Sequence, residues 1–170
     1  MRQFRQLFLL AILALTVFAC SKDDDPKPQT NADLLVAHSW RLTALSSDKP
    51  IPFVDEDDTT VITPISDLYN QYFPPCMRDD VFSFTSDGKY TIDDVGTSCG
   101  GDKISVFGTW FMSGDKDALV LTGGGYISYF TQNIENWTIT ELNSTSFKAT
   151  TYLSSSTTAY TITYTFTAAD

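Results

Sequence analysis

Cysteine and histidine are the side chains of this sequence with the most chemistry to offer, and it holds three of the first and one of the second. Cys20, Cys76 and Cys99 could act as nucleophiles, take a metal or pair by oxidation. The lone histidine, His38, stands beside Ser39 and Trp40. A Ser-His-Asp device needs three groups converging from separate elements, and nothing marks which serine or acid would join. His38 reads instead as a surface or strand-end residue. The run Asp55-Glu56-Asp57-Asp58 offers carboxylates to calcium, but it lacks the alternate spacing and glycine of an EF-hand loop and reads as a solvated loop. These residues predict no enzyme, no metal site and no cofactor.

The chemistry expected of Cys20 comes from what precedes it. Arg2 and Arg5 form a short basic region, and residues 7–19 are almost unbroken apolar sequence. That run is shorter than the ~20 residues a membrane-spanning helix needs, but it suits a secretory signal peptide ending on a small residue, Ala19. Val17-Phe18-Ala19-Cys20 resembles the lipobox of bacterial lipoproteins. The resemblance implies that residues 1–19 are removed and that Cys20 carries lipid. Two or three acyl chains, at about 0.8 kcal/mol per buried methylene, would hold a soluble domain at a membrane. A plain secretory signal with an incidental cysteine is the alternative. With Cys20 lipidated, Cys76 and Cys99 remain as a pair in an oxidising compartment, either joined as a disulfide worth about 3 kcal/mol or left as two buried thiols.

The elements that must position these residues follow from composition and pattern. The chain has 170 residues, 42% hydrophobic and 14% aromatic, enough for one domain with a core. A net charge of -10 argues against a nucleic-acid partner, since phosphate binding needs clustered Lys and Arg. Residues 20–32 carry charges, Pro26 and Pro28 and little apolar surface, so they read as a tether, with the domain spanning residues 33–170.

Within that domain the hydrophobic period is mostly two. Tyr160-Thr161-Ile162-Thr163-Tyr164-Thr165-Phe166-Thr167 alternates without a fault, one dry face against one wet. Shorter strands are predicted at 39–45, 80–85, 89–95, 105–113, 118–122, 137–142 and 147–152, separated by turn signals at Ser86-Asp87-Gly88, Ser113-Gly114-Asp115-Lys116 and Asn143-Ser144-Thr145. The pattern predicts an antiparallel meander, closed as a barrel or packed as a sandwich. In the first turn, a three-residue loop with a bulge at Gly88 sets Phe84 opposite Tyr90 and Phe82 opposite Ile92, so that all four face one core. Carried further, that register places Cys76 one residue from Cys99. The stretch from Thr63 to Phe73 departs from period two. Ile65, Leu68, Tyr69, Tyr72 and Phe73 repeat at helical spacing between Pro64 and Pro74-Pro75, predicting a short amphipathic helix in the first crossover.

Taken together, Ser39-Trp40-Arg41-Leu42, Cys76-Met77-Arg78-Asp79-Asp80-Val81-Phe82-Ser83-Phe84, Asp87-Gly88-Lys89-Tyr90, Cys99, Gly108-Thr109-Trp110, Leu119-Val120-Leu121, Trp137-Thr138-Ile139 and Phe147-Lys148-Ala149 resemble the lipocalin-like lipoproteins of Gram-negative bacteria. The resemblance implies an all-β fold, an antiparallel up-and-down barrel of about eight strands with one short helix in the first crossover. It also implies a lumen able to hold a small apolar ligand, and it carries no catalytic residues. Ser21-Lys22-Asp23-Asp24-Asp25, directly after the cysteine, resembles the signal that sends lipoproteins to the outer face of the outer membrane. A charged spacer is the plainer reading.

Phe82, Phe84, Tyr90, Trp110, Trp137, Phe147, Tyr160 and Tyr164 are expected to face the interior, lining a cavity in a wide barrel or filling a narrow one. Tyr126, Tyr129 and Phe130, beside Gly123-Gly124-Gly125, are candidates for a rim. Asp58-Thr59-Thr60 resembles a bacterial O-glycosylation sequon, with Thr59 the acceptor. The expected function is non-catalytic binding of a small apolar molecule or a glycan by an outer-membrane lipoprotein, surface-exposed, with the membrane met through its lipid. The alternative is a structural or protein-interaction module, such as an accessory subunit, adhesin or inhibitor, with a filled barrel.

Overall fold

The computed structural model describes residues 29–54, 62–99, 105–113, 117–123, 134–154 and 157–169. Helix α1 (Asn31–Ala37) leads into strand β1 (Ser39–Val54); the crossover that follows holds β2 (Ile62–Asp67), α2 (Leu68–Gln71) and a 3-10 turn (Pro75–Met77). Seven strands complete the chain: β3 (Val81–Phe84), β4 (Lys89–Asp93), β5 (Ser105–Ser113), β6 (Ala118–Thr122), β7 (Ile134–Leu142), β8 (Ser146–Ser154) and β9 (Ala159–Ala168).

Strands β3 to β9 pair in sequence order, β3 pairs with β1, and β1 pairs with β9 to close the cylinder. All pairings are antiparallel. The fold is therefore a closed up-and-down barrel of eight strands. The ninth strand, β2, lies outside this circuit. It pairs with the distal half of β1, from Ser46 to Val54, on the edge that β3 uses only at Ser39 and Trp40.

The first hairpin shows why alternation and turn chemistry suffice to set a register. Phe84 pairs with Tyr90 and Phe82 with Ile92. Gly88 N–H donates to the Thr85 carbonyl and Thr85 N–H to the Lys89 carbonyl, and Gly88 sits at φ 82°. That is the three-residue loop with a left-handed glycine, a conformation side chains disfavour.

Within the eight-strand circuit, two β-bulges adjust the pleat. Between Leu42 and Ala44 the register of β1 against β9 slips by one residue, and Thr43 donates its hydroxyl hydrogen bond to the Thr165 carbonyl at 3.2 Å. The slip brings Leu45 onto the inner face with Leu42, although their spacing of three is wrong for a regular strand. Thr140 does the same in β7, donating to the Lys148 carbonyl at 3.4 Å where the register shifts between Ile139 and Glu141.

The crossover departs from the expectation of one amphipathic helix from Thr63 to Phe73. Ile62–Asp67 is strand, and only Leu68–Gln71 is helical. Pro64 lies in β2 opposite Pro52, where a peripheral strand tolerates a residue without an N–H. Asp67, in mid-run, ends the strand and starts the helix: its carboxylate accepts from the backbone N–H of Asn70 at 3.1 Å. Helix α1, which the sequence reading did not foresee, begins within the expected tether. Thr30 and Asp33 form a reciprocal capping box there, and Leu35 is fully buried.

Candidate functional site

The eight aromatic side chains expected to face inward all do so, and all are buried in one continuous core. Ring geometry divides seven of them into two groups. Phe147 and Phe166 stack at 4.3 Å, Trp137 and Tyr164 at 4.5 Å, and the edges of Trp40 and Phe82 meet this stack at 5.2 Å. The second group surrounds Phe84, with Trp110 at 5.6 Å and Tyr90 at 6.2 Å. Trp110 is oriented by its indole N–H, which donates to the Thr85 carbonyl at 3.0 Å. Tyr90 lies along the wall, its hydroxyl bonded to the Gly123 carbonyl. Its ring needs the space left by Gly108, its partner on β5, where a Cβ would collide with ring carbons of Tyr90 and the carbonyl of Thr122.

Trp40 and Phe166, central to the larger stack, were not among the expected lining residues. Both follow the same period-two pattern as those that were. The stack stands at the end of the barrel covered by α1. Trp40 donates its indole hydrogen bond to the Leu35 carbonyl at 2.9 Å, and Asn31 donates to Asp117 at 3.4 Å. Buried tryptophans find such partners because an unpaired N–H in an apolar core is costly.

Toward the opposite end, where the crossover emerges, the inward residues include Leu121, Thr151 and Ile162, with Tyr160 beside them. Among the described residues Tyr160 meets no other ring. Thr151, 6% exposed, donates its hydroxyl to the Asn136 carbonyl at 2.9 Å. This end is covered by Ile51, Ile65, Leu68 and Phe73, which join the same core.

Two contacts tie the crossover to the segment after β4, and two more order it internally. Cys76 and Cys99 form a disulfide across a sequence separation of 23, with Cα atoms 5.2 Å apart. Arg78 donates to the carbonyls of Phe73 and Asn70 at 3.1 to 3.3 Å, and its guanidinium lies 5.1 Å from the Tyr69 ring centre. Asp79 accepts from the Thr97 N–H at 2.9 Å, its carboxylate lying where a Cβ at position 96 would stand. At Asp67 the Asn70 side chain, then its backbone N–H, holds the carboxyl below its ordinary pKa of 3.8.

His38 meets Trp40 edge-on at 5.7 Å, and Ser39 bonds Ser83 at 3.2 Å. Among the described residues, no group of three or more His, Cys, Asp or Glu could hold a metal ion. No helix among them is long and apolar enough to cross a membrane. Cys20, the signal sequence, the acidic run at 55–58, Thr59 and the rim candidates Tyr126, Tyr129 and Phe130 lie outside the described residues.

This closed meander, with its inward aromatic face, defines an eight-stranded up-and-down β-barrel. No protein-family model matches the chain, and no curated protein does. Among solved structures, a complex of bovine odorant binding protein with a selenium-containing odorant aligns over 86% of this chain and 78% of that one, at 13% identity and a TM-score of 0.42. At that level the likeness adds nothing to the topology.

Proposed function

We propose that this chain is a non-catalytic, lipid-anchored binding protein of the bacterial envelope that holds a small apolar molecule in the crossover end of its barrel. The observation that supports this reading is the uneven lining of the core. Rings pack on rings beneath α1, whereas Leu121, Thr151 and Ile162 beside a solitary Tyr160 present aliphatic and hydroxyl-bearing surface at the other end. Such a mixture, mostly apolar with a few fixed polar groups, is what small-molecule sites are made of. Lipidation at Cys20 would tether the barrel to the outer membrane, and Asp23-Asp24-Asp25 would direct it to the cell surface. The Cys76–Cys99 bridge is in keeping with an oxidising compartment.

Native mass spectrometry of the chain isolated from its own envelope tests the reading. A bound small molecule that is lost in Ile162→Trp supports it, and an empty barrel in stoichiometric complex with another protein refutes it. Cys20→Ser tests the anchor, since unchanged detergent partitioning would exclude lipidation. The second reading, a filled barrel serving protein interaction, draws on Leu68 and Phe73, which occupy the crossover end, and on the exposed outer rings of Phe111 and Tyr152.

A further inference from the structure

The wall of the barrel has one short seam. Every other neighbouring pair in the circuit shares at least four ladder positions, but β1 and β3 share two, Ser39 with Ser83 and Trp40 with Phe82. Past Trp40 the strands separate. On that edge β1 finds no ladder partner again until Ser46 meets Asp67 of β2. Residues 41–45 therefore border a gap in the sheet. Yet Leu42 and Leu45 beside it are 2% and 3% exposed, so the gap is covered.

The crossover provides the cover. Leu68 is fully buried and Phe73 is 9% exposed, both within the barrel core, and Met77 packs against it. Helix α2, which carries Leu68, packs on β1 and β2. It is four residues long, far below the length at which a helix holds itself together. Its position depends on the contacts at its two ends. Asp67 caps one end. At the other, Arg78 grips the Asn70 and Phe73 carbonyls, and Cys76–Cys99 ties the chain to the segment after β4.

The geometry points to the β1–β3 seam as the port through which a ligand enters and leaves the barrel, with α2, Leu68 and Phe73 as its plug and the disulfide as the clasp limiting how far the plug swings. This rests on the reading of the barrel as an apolar-ligand carrier. Opening there disturbs little else. The remaining seven seams each share four or more ladder positions, and the α1 end is filled by stacked rings. Lifting Leu68 and Phe73 exposes apolar surface to water, which keeps the open state rare, and the clasp keeps displaced residues close enough to return.

The test uses the full chain in a detergent that gives no signal with N-phenyl-1-naphthylamine, a neutral apolar dye. Binding of the dye by the wild type is the first requirement. Its absence refutes the carrier reading itself, and with it the port. Given binding, the joint variant Cys76→Ser with Cys99→Ser and the single variant Leu68→Ala should each release dye at least about tenfold faster, with a smaller change in equilibrium affinity. Amide hydrogen exchange should accelerate in residues 68–73 of both, while β5 to β9 keep their protection. Unchanged release in both variants overturns the port. So does faster release with wild-type protection of residues 68–73, because the dye would then be leaving by another route.

Discussion

The two ends of this barrel are closed by different means. Beneath α1, closure is a matter of packing. Leu35 drops into the core, Trp40 bonds back to its carbonyl, and the rings of Phe147, Phe166, Trp137 and Tyr164 stack behind them. At the crossover end, closure depends on fastening. A four-residue helix packs on β1 and β2, held by a carboxylate cap, an arginine clamp and a disulfide. A packed end opens only when the core melts, whereas a fastened end can loosen while the barrel stays folded.

Four substitutions or conditions sharpen that contrast. The largest effect is expected from Phe166→Ala, which empties the centre of the ring stack. It should remove about 3–5 kcal/mol from global stability in denaturant titration, with one cooperative transition. Cys76→Ser with Cys99→Ser should remove about 3 kcal/mol by the chain-entropy argument. Its mark should be loss of exchange protection in the crossover before the barrel strands. A uniform loss over both ends would show that the ends are not independent. Trp40→Phe keeps an aromatic side chain but removes the bond to Leu35 and part of the buried ring volume. The expected cost is at least about 1 kcal/mol, with faster amide exchange in α1.

The smallest effect concerns pH. The pKa of Asp67 is lower in the folded chain than the ordinary 3.8, so its capping contribution is present above that value and fades as pH falls through the depressed one. The Asn70 amide signal should shift below pH 3.8 while signals from α1 stay in place.

Much of the architecture could be read along the chain because the same information occurs there twice. In the β3–β4 hairpin, the alternation of Phe82, Phe84, Tyr90 and Ile92 and the bulge preference of Ser86-Asp87-Gly88 demand one register, and that register is found. The strands β5 and β6 begin and end where the pattern places them. The crossover was expected to be one helix from Thr63 to Phe73 because Ile65, Leu68, Tyr69, Tyr72 and Phe73 repeat at helical spacing. Pairing of Ile51 with Ile65 and Pro52 with Pro64 decides for strand, and those contacts reach far beyond any local window. The two threonine bulges were hidden for a related reason. Thr43 and Thr140 look like ordinary outward threonines until the opposite strand is short of one residue.

By itself, the sequence determined the all-β class, the inward aromatic face and the hairpin register, because side-chain period and turn chemistry are local. It also supplied two cysteines whose joining the hairpin register brings near. Only the tertiary structure decided that β1 closes on β9, that the rings crowd one end, and that β1 and β3 part after two pairs. Those outcomes depend on how eight strands share one circumference, and no segment carries that information alone.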